Sequence, residues 1–430
     1  MTHAMEKKNY TLPIAMMFAL FFMISFVTGL PSPMGVIVAK QFGASNFQSQ
    51  LGFLGNFIAY AFMGIPAGIM LKKIGYKKTA LAAIVVGFIG VGIQWLSGQV
   101  GNFWVYLMGA FVAGFSMCML NTVVNPMLNT LGGGGNKGNQ LIQWGGSINS
   151  MGATIVPILV GYLMGDIAGR TIDKASPALF LAMGIFALAF VVLLFVDIPE
   201  PHLQKVVEKV KDKYSPLSFR HFILGAIAIF IYVGVEIGIP STANLFMTAQ
   251  TTDANPGLGI DGGTAGIVVG IYWLLMLVGR LVGASVGAKV SSKTMLTFVS
   301  SLGILLIVLG IYLPTSMTVN MPVVTNTFSF DTVQVPINVM FLILGGLCTS
   351  IMWGGIFNLA VEGLGKYTAA ASGIFMVMVM GGGIIPLLQG FVSDHFGYLN
   401  SYWVMLICLA YLLFYGLIGS KNVNKDIPVE

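Results

Sequence analysis

The stretch CMLNTVVNPMLNTLGGGGNKGNQ, residues 118–140, places Asn121, Asn125 and Asn129, Pro126 and four glycines at the end of a long apolar run. Amides both donate and accept hydrogen bonds but carry no charge. Glu236, in YVGVEIGIPSTANLF, is the only carboxylate set well inside such a run, and no basic residue lies at helical spacing from it. Polar groups at this kind of depth are expensive and point to function. An acid there can carry a proton, or its ionised form can help hold Na⁺ beside backbone carbonyls and the Ser241 and Thr242 hydroxyls. Further neutral donors and acceptors stand at Ser32, Gln143, Asn149, Asn244, Asn358 and Gln389, with Trp144, Trp353, Tyr232 and Tyr272 among them. Such a set suits a neutral polyhydroxyl ligand, whose hydroxyls amides satisfy in both directions and whose C–H face an aromatic ring covers. For any single amide, hydrogen bonding between helices is an equal reading. A charged ligand calls for Arg or Lys at depth, and the sequence suggests none. Cys118, Cys348 and Cys408 are isolated in apolar segments, and His3, His202, His221 and His395 lie in tails or at segment ends. The expectation is no metal site, no cofactor and no enzyme, since no nucleophile, base or paired-carboxylate constellation exists at depth.

The elements that must position these residues follow from composition. Of 430 residues 56% are hydrophobic and 8% charged, against roughly 25% charged in a soluble chain. Continuous apolar runs of about 20 residues recur, each long enough to cross a bilayer as a helix. Their continuity, without alternation, excludes a barrel. Twelve spans are expected at 11–38, 48–71, 79–98, 103–131, 140–165, 177–197, 221–248, 264–287, 294–314, 335–361, 368–392 and 399–419. The apolar stretch after Lys7 and Lys8 is too long for a signal peptide and stays as the first span. With the N-terminus in the cytoplasm, all of the 21 Lys and Arg except Lys40, Arg170 and Lys174 fall on the inner side, as the positive-inside bias requires. The +6 net charge therefore reports membrane topology, and nucleic acid is not expected as a partner.

Residues 198–220 form the one strongly charged stretch, read as a cytoplasmic linker between two halves, 1–197 and 221–420, with a short cytoplasmic tail at 421–430. The halves repeat. GIPAGIMLKKIGYKKT (64–79) aligns on GRLVGASVGAKVSSKT (279–294), Asn125 falls on Asn358, and Pro157 falls on Pro386. In the repeated basic loop, Lys72 and Lys73, with Arg280 in the second copy, are expected to act as a gate, pairing with acids at neighbouring helix ends in one state only. The GGG at 381–383 before Pro386 is read as both close packing and a hinge.

Over nearly its whole length the chain resembles the fucose/glucose/galactose–cation symporter family of the major facilitator superfamily. The resemblance is carried by SNFQSQLGFLGNFIAYAFMGIPAGIMLKKIGYKKT (45–79), NTVVNPMLNTLG (121–132), INSMGATIVP (148–157), YVGVEIGIPS (232–241) and GIFNLAVEGLGKYTAAASGIFMVMVMGGGIIPLLQGFVSDHFG (355–397). It implies an all-α polytopic membrane protein with the major facilitator fold, 12 transmembrane helices in two six-helix repeats. It also implies cation-driven uptake of a monosaccharide across a bacterial inner membrane. An Asp that family members close to the fucose–proton symporter carry in the first span falls at Ser32, a Glu in the fourth at Asn121, and a Gln in the fifth at Gly146. Glu236 is then the remaining acid for coupling to H⁺ or Na⁺. The reading is a monomeric symporter in the lipid bilayer, both termini cytoplasmic. The alternatives are a sodium-coupled or uncoupled facilitator, or a non-transporting membrane sugar sensor.

Overall fold

A computed structural model describes residues 10–429 apart from 31–33, 36, 38–40, 132–134, 165–170, 201–213, 287–289, 325–328, 365–366 and 425. Twelve long helices account for most of it. In the first half they are α1 (Thr11–Gly29), α2 (Leu51–Leu71), α3 (Lys73–Val100), α4 (Phe103–Leu131), α5 (Gly135–Met164) and α6 (Ser176–Phe195). In the second they are α7 (Arg220–Thr248), α8 (Gly262–Val286), α9 (Ser292–Tyr312), α10 (Ile337–Val361), α11 (Thr368–Met378 and Gly381–Phe396) and α12 (Tyr398–Gly419). Among the described residues, eleven of them are long and apolar enough to cross a membrane. The twelfth, α5, is the more polar GNKGNQLIQWGGSINSMG helix. Helices suit this setting because they satisfy their own backbone polar groups without water.

Three features depart from the expected spans. α1 ends at Gly29, short of residue 38, and helical backbone is described again at Met34, Gly35 and Ile37; the prolines at 31 and 33 of the sequence between them have no N–H to donate to a helix. α10 is interrupted between Thr349 and Met352, and α11 between Met378 and Gly381. The third difference is a hairpin between α9 and α10 that the span pattern does not contain. Its strands, β1 (Thr318–Val324) and β2 (Phe330–Pro336), pair antiparallel with Met321 opposite Val333. Met321, Val323 and Val335 are buried, so the period-2 alternation of TVNMPVV is a legible strand signal.

The helical run from α2 into α3 breaks at the third residue of α3, Gly75, which forms the turn of the basic segment and whose φ of 84° suits glycine alone among common residues. The Glu200 carboxylate accepts from the backbone N–H groups of Tyr76 at 2.6 Å and Lys77 at 2.9 Å, capping α3. Thr79 Oγ1 donates to Gly75 O at 2.6 Å, and Lys77 Nζ to Leu194 O at 2.9 Å. In this state the loop is bound within its own half. Lys73 is exposed, and the Lys72 side chain lies outside the described residues.

The two halves touch at the end that carries the α1–α2 connection. There Phe47 N donates to Asp394 Oδ2 at 2.9 Å, and the Phe47 and Phe391 rings lie 6.3 Å apart. Gly383 of α11 packs so closely on α2 that an added Cβ would stand 2.6 Å from Leu54 Cα. The GGG run is thus a packing surface, and the break in α11 falls immediately before it.

Candidate functional site

Between the halves lies a cavity of about 1050 Å³, at the upper end of the range for small-molecule pockets. The first half contributes Ser25 and Thr28 from α1, Phe57 and Tyr60 from α2, Asn121 and Asn125 from α4, and Gly146 and Asn149 from α5. The second contributes Tyr232 and Glu236 from α7, Trp273, Arg280 and Gly283 from α8, Ser292 and Met295 from α9, and Ser350, Trp353 and Asn358 from α10. α7 and α9 start, and α8 and α10 finish, at the end where the 198–220 connection joins the halves. Because Gly283, Ser292 and Asn358 line it, the cavity extends toward that linker end.

Asn121 and Asn125 of α4 donate to their own helix, and Asn121 also to α2. Asn121 Nδ2 donates to Met117 O at 3.1 Å and to Tyr60 Oη at 2.9 Å. Asn125 Nδ2 donates to Asn121 O at 2.9 Å, one turn back. Asn149 Nδ2 crosses to Phe21 O on α1 at 3.0 Å. Each amide thus spends a donor on the protein, which limits its cost at depth, and no described protein donor meets the Asn121 Oδ1. Trp353 stands 6.2 Å from Tyr232, ring to ring at 55°, forming an aromatic wall, and Asn358 is exposed one turn closer to the linker end.

Glu236 is not the isolated acid that the sequence suggested. Arg280 Nη2 lies 3.5 Å from Glu236 Oε1, and this is the ion pair found among the described residues. Arg280 Nη1 donates to Gly146 O at 2.8 Å and Ser150 Oγ at 2.6 Å. Arg280 is therefore corrected from a loop gate to a cavity residue. It sits six residues inside the end of α8, and its side chain reaches Glu236 and α5. The expectation that no Arg or Lys reaches this depth falls with it. The pair is neutral overall, so the cavity still presents no net charge.

Not every expected residue reaches the cavity. Gln389 is fully buried with both side-chain polar atoms unpartnered, in the seam between α11 and α7, where its Oε1 lies close over Gly238. It is corrected to a position behind the site. Asn244 is buried on α7 and does not line the cavity, and Trp144 is 54% exposed on the outside of α5. Ser32 and the Gln143 side chain lie outside the described residues. Residues that the sequence reading passed over are Tyr60, Trp273 and Ser150; Gly146 was singled out only as the place of a family glutamine. The signal for Tyr60 and Trp273 was available in principle, since both are amphipathic aromatics within apolar helices.

The profile of the Major Facilitator Superfamily matches residues 17–385. The chain belongs to that superfamily. A glucose/galactose transporter of Brucella abortus biovar 1 is 30% identical over 428 residues, covering 98% of this chain and 97% of that protein. The L-fucose-proton symporter of Escherichia coli K12 is 22% identical, covering 98% of this chain and 96% of that one. A crystal structure of the E. coli fucose:proton symporter superposes with a TM-score of 0.66 at 19% identity, over 96% of this chain and all of the other. The protein is thus an all-α, multi-pass membrane protein of the two-repeat, twelve-helix type, related to the fucose, glucose and galactose symporters.

Proposed function

We propose that this superfamily member is a secondary transporter for a neutral monosaccharide of the glucose or galactose kind, coupled to a cation and working by alternating access. The observation that carries this reading is the cavity between the halves, lined by Asn121, Asn125, Asn149 and Asn358, by Trp353 and Tyr232, and by a charge-compensated acid. Amide donors and acceptors beside aromatic faces match a sugar's hydroxyls and C–H faces. The names of the glucose/galactose relative and of the fucose symporter support the substrate class. Repeat architecture supports rocking of 1–197 against 221–420 about a site between them, with 198–220 as the connection. The distribution of Lys and Arg supports cytoplasmic termini, so this state opens inward. Asn121, Asn125, Asn149, Trp353 and Asn358 hold the sugar, and Glu236 is the coupling residue.

The test is counterflow in proteoliposomes with a monosaccharide panel, followed by uptake under imposed Na⁺ or pH gradients. Exchange of a hexose and its uphill accumulation under one of the two gradients is the expected result. Failure of every monosaccharide to exchange would refute the transport reading. A second reading, uncoupled facilitation, is favoured by Arg280 already neutralising Glu236; it predicts exchange with no accumulation under either gradient.

A further inference from the structure

Arg280 makes its two shortest contacts to the opposite half of the molecule. Nη1 lies 2.6 Å from Ser150 Oγ and 2.8 Å from Gly146 O, both on α5, whereas Nη2 is 3.5 Å from Glu236 on its own half. Ser150 is 1% exposed, so its hydroxyl has no water to replace the guanidinium. At Gly146 an added Cβ would stand 3.8 Å from Nη1; a longer side chain would compete for the space that the guanidinium fills. A planar guanidinium held by two fixed acceptors is oriented in a way that a flexible ammonium is not.

We infer that Ser150 and the Gly146 carbonyl are a seat that positions Arg280 as an internal cation for Glu236, so that the seated arginine displaces the coupling cation in the state open at the linker end. This rests on the transport reading above. An ionised carboxylate at this depth is costly without a positive partner, and a proton, Na⁺ and Arg280 are competing partners for it. The other groups that act on Glu236 electrostatically are phenols, Tyr232 on α7 and Tyr272 on α8, and Tyr60 faces the same cavity from α2. Arg280 is therefore the protein's cation in this contest among the described residues. The seat belongs to one half and the arginine to the other, so rocking the halves changes how the two meet. With the seat empty, Glu236 takes up a proton or Na⁺; with the seat filled, that cation is released. Ser150 is a positioning residue in this scheme, since it touches Arg280 and not the acid.

The experiment compares wild type, Ser150→Ala and Ser150→Thr in proteoliposomes. It measures the H⁺ and the Na⁺ concentrations for half-maximal uphill hexose uptake, and the ratio of accumulation to counterflow. Losing a hydrogen bond to a charged group is expected to lower the half-maximal cation concentration about tenfold in Ser150→Ala, because Arg280 competes less well, and to reduce the ratio as release slows. Ser150→Thr keeps the hydroxyl and should return both values to within about twofold of wild type. A shift on the pH axis alone identifies the proton, and one on the Na⁺ axis alone identifies sodium. Wild-type ion dependence in Ser150→Ala overturns the inference while leaving transport intact. Loss of exchange in both variants also overturns it, since Ser150 would then serve packing. Absence of counterflow in the wild type instead refutes the transport reading on which it stands.

Discussion

Replacing Asn121 by Leu tests the site where its hydrogen bonds are best defined. The amide Nδ2 bridges Met117 O and Tyr60 Oη at 3.1 and 2.9 Å, and Tyr60 is 4% exposed. Leucine is close in volume, so packing survives, but the Tyr60 hydroxyl loses its donor and a sugar hydroxyl loses its amide partner. Leaving one such group unpaired costs about 1–3 kcal/mol, which is roughly 5- to 150-fold in dissociation constant. Equilibrium binding of radiolabelled hexose to purified protein, with size-exclusion profiles as a check on folding, measures it. Tyr60→Phe removes the bridge but leaves the amide free for the ligand, so it should weaken binding less than Asn121→Leu. A dissociation constant within about twofold of wild type in folded Asn121→Leu, and likewise in Asn358→Leu, would refute the placement of the sugar among these amides.

Glu236→Gln should abolish gradient-driven accumulation while preserving counterflow; uphill uptake at the wild-type rate would make the acid merely structural. Gln389→Met replaces a buried amide whose two polar atoms have no partner, so thermal stability should hold or rise with sugar affinity unchanged; a large loss of affinity would return Gln389 to the site. Gly381→Ala drives a methyl into the Phe230 carbonyl and should cost about 1–3 kcal/mol, read as a lowered unfolding temperature in a thiol-reactive dye assay. Cysteines at Thr130 and Gly363, near the linker-side ends of α4 and α10, should crosslink only when that end is closed; sugar-independent crosslinking with full transport retained would argue against rocking.

The twelve helices were legible because each needs a run of about 20 apolar residues, a property carried by local sequence. Asn121, Asn125 and Asn358 were legible for a related reason, since an amide in such a run stands out against its neighbours. Gln389 stood out in the same way and yet lies behind the site, because polarity marks depth but not which face of α11 meets the cavity. Arg280 was misread because the repeat alignment paired its segment with the basic α2–α3 loop. Its partners lie 44 residues away on α7 and more than 100 away on α5, a proximity that only the packing of three helices creates. The β1–β2 hairpin escapes a reading tuned to long apolar runs, which passes over seven-residue alternation.

The Glu200 cap on α3 has a consequence for biosynthesis. The carboxylate lies 124 residues downstream of the Tyr76 amide that it accepts from, just beyond the last residue of α6. While the ribosome is still making α4, α5 and α6, the Gly75 turn near the start of α3 has no acid to finish it, and the Tyr76 and Lys77 amides depend on water. Only a nascent chain that has delivered all six helices of the first half can draw this stitch tight. Closure of the turn therefore reports that the half is complete, and it anchors the outgoing chain before the second half begins to insert. A released chain ending at residue 197 would hold six helices with the α2–α3 turn unsecured, and so more open to a protease on that face than the same helices in the finished protein.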